Sequence, residues 1–171
     1  MQHQKSPISC INQYSRESEL VQDFLTVLQQ GESPWGEVET TTEWDYRTGI
    51  TDVLARTSHG DLVAFEAKLT DWRRATHQAY RNTTFAKKAY VVMPIAAAER
   101  ARVHEAIFLQ YGVGLCSVEK NRVSIIIEAP ELDEEPLLPW MNRKAHLFFD
   151  EAAGHGVTIA PGHHHGSLQA A

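Results

Sequence analysis

The stretch that decides the fold runs from Ile50 to Trp72, ITDVLARTSHGDLVAFEAKLTDW. It is divided by Ser58-His59-Gly60-Asp61, a turn signal between two segments with strand character. Side chains alternate along a strand, so Glu66 and Lys68 are expected on one face. Val63, Phe65, Ala67 and Leu69 then point to the other face and fill a core. If the two strands pair through the short turn, Asp52 approaches Glu66 from its neighbour. Two carboxylates and one ammonium would then converge near a sheet end.

Working outward, a third strand precedes these two. The spacing predicts strands over Val38–Tyr46, Gly49–Arg56 and Leu62–Leu69, with Arg47-Thr48-Gly49 turning between the first pair. Upstream, Leu20, Val21, Phe24, Leu25 and Leu28 have helical spacing, in a helix expected from about Ser15 to Gly31. Downstream, a helix over Asp71–Lys88 is expected, with Thr70 as N-cap and Trp72, Ala75, Ala79, Thr83 and Ala86 inward. Ala89–Met93 is a continuous apolar run that suits a strand buried on both faces. A helix over Ala97–Tyr111 closes at Gly112, and strands Gly114–Val118 and Val123–Glu128 flank Lys120-Asn121. Tyr14, Trp44 and Tyr46 read as packing or edge aromatics. The order α-β-β-β-α-β-α-β-β predicts one α/β domain, a mixed central sheet flanked by helices.

The domain is expected over residues 15–128, after a polar lead-in at 1–14. Residues 129–171 differ in character. They open with an acidic, Pro-rich linker composition and continue with Leu137, Leu138, Trp140, Met141, Leu147, Phe148 and Phe149. Segment 137–149 is too apolar to leave in water. It is expected to dock on its own core or on a second copy, as a homodimer or within a larger complex. His163–His165, in the Gly-rich tail beyond Ala152, read as solvated terminus.

Composition sets the class. The chain has 171 residues, 43% hydrophobic and 22% charged, which fits a soluble globular domain and excludes wholesale disorder. No apolar run approaches a membrane span, and the first fifteen residues lack the pattern of a secretory signal. Cys10 and Cys116 lie far apart with no CxxC, against a zinc ribbon or a disulfide framework. A reduced, cytoplasmic location is expected. The net charge of -6 argues at first against a nucleic-acid partner. Its distribution reverses that: residues 128–151 hold seven acids against Arg143 and Lys144. Residues 71–88 hold Arg73, Arg74, Arg81, Lys87 and Lys88 against Asp71 alone. Local sign governs the steering of a polyanion.

The carboxylates and lysine describe a divalent-metal site. Hard cations such as Mg²⁺ take carboxylate and carbonyl oxygens and keep waters. A lysine beside them can orient or deprotonate a bound water, or stabilise charge on a phosphate. The ordinary alternative is a solvated strand edge, since a lone [DE]xK triplet arises by chance about once in a chain this long. Context favours the site: the Asp one strand earlier, the meander, and the basic helix that follows.

Asp52, then thirteen residues, then Glu66-Ala67-Lys68 resembles the D…ExK signature of the PD-(D/E)XK nuclease superfamily, with its restriction-endonuclease-like αβββαβ core. The resemblance covers roughly residues 15 to 95, in the flavour of Holliday junction resolvases and Mrr-like nucleases. Thr51 stands where the family name has Pro. The resemblance implies Asp52 and Glu66 as metal ligands, the Ala67 carbonyl as a third, and Lys68 as the residue that activates water or stabilises the transition state. It implies Mg²⁺ or Mn²⁺ as cofactor. It also implies a further acid from the first helix, Glu17 or Glu19; Glu17 shares the apolar side with Leu20, Val21, Phe24 and Leu28, and is preferred. Arg74, Gln78 and Arg81 form an i, i+4, i+7 stripe suited to phosphate contacts, with Arg73, Lys87 and Lys88 adding to the basic surface and His77 reading as a lone surface histidine. The function implied is metal-dependent DNA endonuclease activity by in-line attack of an activated water. The alternative is a catalytically silent nuclease-fold module, binding nucleic acid or protein as a subunit of a mobile-element or defence complex.

Overall fold

In the computed structural model, which describes residues 14–47, 49–131 and 135–154, the chain opens with helix α1 (Glu17–Gln29). Strands β1 (Val38–Asp45), β2 (Ile50–Thr57) and β3 (Leu62–Ala67) follow as an antiparallel meander. Helix α2 (Trp72–Asn82) crosses to β4 (Lys88–Pro94), which pairs parallel to β3. Helices α3 (Ile95–Arg102) and α4 (Glu105–Gln110) cross to β5 (Gly114–Glu119), parallel to β4, and β6 (Arg122–Ile127) turns back antiparallel. The six strands lie in chain order in one mixed sheet. The fold is α/β, compatible with a restriction-endonuclease-like core.

The two faces of the sheet are covered differently. On one face, α1 packs Leu20, Phe24 and Leu28 onto Val53, Phe65, Ala67, Tyr90 and Val92. Trp35 sets its ring edge-on to Phe24, Phe65 and Tyr90, 4.8–6.3 Å away between centroids. On the other face, Ala75 and Ala79 of α2 join α3 and Phe108 of α4 over Ala89, Val91, Met93 and Leu115. β3 is buried at every position, so Glu66 lies under helices rather than on a solvated edge.

Three expectations are corrected. Asp71, not Thr70, caps α2, its Oδ1 accepting from the Arg74 N–H at 3.1 Å. α2 stops at Asn82, not Lys88, because Asn82 turns its side chain into the core and Phe85 dives beneath the tail. The Thr83 and Thr84 hydroxyls satisfy the Tyr80 and Arg81 carbonyls there. The helix expected over Ala97–Tyr111 is two helices, broken at Val103-His104. Segment 137–149 forms most of a fifth helix, α5 (Pro139–Gly154), seated on the chain's own core, one of the two docks expected of it.

α5 closes a third apolar cluster. Met141, Ala145 and Phe149 bury against Trp44, Tyr46, Leu54, Leu62, Ala64, Phe85 and Ala86. Polar contacts fasten it: Leu138 N–H donates to the Thr84 carbonyl and Asn142 Nδ2 to the Phe85 carbonyl, both at 2.8 Å. Arg56 bridges Glu39 at 2.6 Å and Asp150 at 2.5 Å. Leu137, Trp140 and Leu147 stay exposed, and a homodimer through them is an expectation outside what one chain shows. Among the described residues no helix is long and apolar enough to cross a membrane. Cys10, His163–His165 and most of the 1–14 lead-in lie outside the described residues.

Candidate active site

Asp52 and Glu66 meet where β2 and β3 approach their shared end. Asp52 Oδ2 accepts the Ala67 N–H at 2.8 Å, so the backbone of β3 itself holds the carboxylate. Glu66 is 1% exposed; its Oε1 accepts from Asn82 Nδ2 at 2.8 Å, while Asn82 Oδ1 accepts from Thr51 Oγ1 at 3.0 Å. A buried Thr51–Asn82–Glu66 chain thus fixes the second carboxylate from α2. Glu66 Oε2 has no donor partner among the described residues, nor does the buried Gln78 Oε1.

That placement has an electrostatic cost. Burial, then the charge of Asp52, pushes the Glu66 carboxyl up to about 8. Asp52 is also raised by burial, opposed by the Ala67 N–H and by Lys68. At neutral pH burial and the neighbouring Asp52 charge favour the protonated form of Glu66. The folded state therefore holds a proton that the unfolded chain, with its glutamate near 4.5, releases. The contribution of Glu66 to stability is full below about pH 4.5 and is lost as pH rises toward 8. Glu66→Gln keeps the acceptor for Asn82 and supplies an amide where the proton sat. The variant is expected to be more stable at pH 7.5 by on the order of 2 kcal/mol, raising the thermal midpoint by roughly 4–8 °C. The gain should vanish by about pH 4.5, and calorimetry across that range checks it.

Lys68 differs from the alternation argument. β3 ends at Ala67, and one residue later the ammonium turns to α1, where Nζ donates to Glu17 Oε2 at 2.7 Å. Lys68 and Glu66 therefore do not share a strand face, although Lys68 still acts electrostatically on both carboxylates. Of the two α1 acids, Glu17 reaches Lys68, whereas Glu19 accepts from Ser15 N and Oγ at its own helix start.

Two open basins meet at the pair. One, of about 440 Å³, is lined by Glu17, Val21, Leu25, Thr42, Glu43 and Asp52. The other, of about 560 Å³, is lined by Glu43, Tyr46, Asp52, Glu66, Gln78 and Arg81. Of the basic-helix residues, Gln78 and Arg81 reach the site. Arg74 is exposed one turn earlier, and Arg73 lies over the Trp72 ring at 4.4 Å. Lys87 and Lys88 are not brought there: near the opposite end of β4 they pair with Asp61 and Glu131, and with Glu128. Their charge is already answered.

The fold is shared. No family model matches the chain, and no curated protein matches it significantly. Among solved structures it is similar to the SPO1766 protein of unknown function from Silicibacter pomeroyi, with a TM-score of 0.57 and 13% identity over 90% of this chain and 98% of that one. A repair endonuclease from Pyrococcus abyssi gives a TM-score of 0.40 and 15% identity over 62% of this chain and 48% of that one. At 13% identity the likeness to the SPO1766 protein concerns the fold alone.

Three residues of the site escape the sequence reading. Asn82, Glu43 and Tyr46 line or support it without belonging to the D…ExK pattern. Glu43 faces Asp52 across the β1–β2 pair, between Thr42↔Val53 and Trp44↔Thr51, with a left-handed φ of 50°. Tyr46 lies so close to Gly49 that a Cβ there would fall 2.3 Å from its hydroxyl, so only glycine fits. Asn82 had a signal: an asparagine followed by two threonines is a poor helix continuation.

The donor chemistry fits a hard cation. The orphaned Glu66 Oε2 sits beside a second carboxylate, and an unpaired buried acceptor is costly unless something binds it. Among the described residues no group of three or more His, Cys, Asp or Glu side chains is arranged to hold a metal ion. Two carboxylates would leave the remaining positions to a carbonyl and to waters, a donor set that suits Mg²⁺ better than structural zinc.

Proposed function

We propose that this chain is a divalent-cation-dependent nuclease that hydrolyses phosphodiester bonds in DNA. The observation that carries the reading is the pairing of Asp52 with the buried Glu66 in one basin, where Glu66 Oε2 is orphaned and Lys68 acts on both carboxylates. A buried carboxylate pair with an unsatisfied oxygen is costly to stability. Perturbed carboxylates in a cleft mark functional sites.

A bound Mg²⁺ or Mn²⁺ would supply a polarised phosphoryl oxygen and a more acidic water. Asp52 and Glu66, with the Ala67 carbonyl, are the residues that would hold it; loading it requires Glu66 to lose its proton. Lys68 stands between Glu17 and the carboxylates. Exchanging Glu17 for a phosphate oxygen would place its ammonium where charge develops. Gln78 Oε1, buried and without a donor, is free to accept from a water or a sugar hydroxyl. Arg81, on the same wall, would hold the backbone.

The test is incubation of the full chain with plasmid, linear, single-stranded and branched DNA, with Mg²⁺, Mn²⁺ or EDTA. Cleavage in either metal and none in EDTA is expected. Retarded but uncut DNA in every metal would instead leave a binding module that keeps the fold without the reaction.

A further inference from the structure

Beyond Arg81, α2 carries a surface that phosphate contact alone does not explain. Its sequence, WRRATHQAYRN, contains no acid, and Asp71 before it is committed to the cap. Arg73, Arg74 and Arg81 are exposed, and none forms an ion pair among the described residues. Aromatic rings stand beside them. Tyr80 is 50% exposed and meets Tyr111 edge-on at 5.3 Å between centroids. His77, one turn back, meets the same Tyr111 at 5.0 Å. His77 is thus part of a three-ring group rather than a lone surface residue.

Helical geometry orders these groups around α2. Gln78 faces the catalytic basin, Arg74 and Arg81 come next, then His77, and Arg73 and Tyr80 lie furthest round. A path from the carboxylates over α2 therefore meets positive charge first and exposed rings after it.

We infer that this face binds the unpaired bases of a single strand, the phosphates lying on Arg74 and Arg81 and a base stacking on the Tyr80–Tyr111–His77 group. The inference rests on the nuclease reading of the adjoining site, whose substrate it narrows to strands with unpaired bases. A duplex keeps its base faces stacked inside and offers these rings nothing. A single strand presents every face, and alternating charge and rings is how sequence-tolerant strand binding is built. Unanswered arginines beside the rings favour a polyanion over an apolar peptide.

The experiment measures binding in EDTA, where no strand is cut, by fluorescence anisotropy of labelled oligothymidine, oligouridine and a DNA duplex of equal length. Oligothymidine is expected to bind at least about tenfold more tightly than the duplex. Tyr80→Ala should lose about tenfold on the single strand and little on the duplex, with its salt dependence unchanged; Tyr80→Phe should restore binding. Arg81→Ala should instead flatten the log–log salt slope by about one unit on both. Oligouridine binding as well as oligothymidine would assign the site to single strands of either sugar. Equal affinity for single strand and duplex, or a Tyr80→Ala variant with full affinity, overturns the inference. The nuclease reading is scored separately: duplex cut in Mg²⁺ with Tyr80 irrelevant sinks only the stacking face, and tight single-strand binding without cleavage sinks only the catalysis.

Discussion

Asp52→Ala and Glu66→Ala are each expected to remove Mg²⁺-dependent cleavage, a loss of at least about 10³ in rate. Either change leaves one carboxylate where two were needed, and Asp52→Ala also orphans the Ala67 N–H. Lys68→Ala should slow cleavage by about 10²–10³ without preventing metal binding, because the lysine offers charge rather than a ligand oxygen. Glu66→Gln separates chemistry from folding: it should be as inactive as the alanine variant, yet more stable at neutral pH. Cleavage rates and melting curves on the same preparations check all four variants. Full activity in any carboxylate variant would show that the chemistry lies elsewhere.

Phe149→Ala should cost about 3–5 kcal/mol of folding free energy, read by urea denaturation. Phe149 is 1% exposed, at the centre of the α5 cluster, and the Arg56 guanidinium lies 5.1 Å from its ring centre. Removing the ring opens a cavity between helix and sheet and takes away the surface over which Arg56 reaches Asp150. Leu147, on the same helix but 59% exposed, supplies the control, and Leu147→Ala should fall within about 0.5 kcal/mol of the parent. If the two variants cost the same, α5 is not seated as described.

The fold was legible where backbone chemistry punctuates the chain. Gly60 and Gly112 take φ of 85° and 67°, and Lys120-Asn121 take 46° and 61°, so each turn signal stands where the chain reverses or a helix ends. Strand order follows once those turns are placed, because each connection is short or carries a helix. The meeting of Asp52 with Glu66 was legible too, from alternation and one tight turn. Alternation failed one residue later at Lys68, since a rule about strands ends with the strand. The end of α2 was hidden because its cause is distant: Phe85 is drawn into a cluster closed by Phe149, which propensity at Thr83-Thr84 alone does not reveal. Glu43 carried no signal, as its left-handed backbone arises from a strand pair rather than from its own chemistry.

The seat of α5 also bears on how the chain is made. All six described strands precede it, so the ribosome synthesises them before the helix that covers Leu54, Leu62, Ala64 and Phe85. A nascent chain that has reached Ile127 shows that apolar face to its surroundings, and exposed apolar surface during synthesis invites aggregation. Chains released early are therefore material for chaperones and proteases.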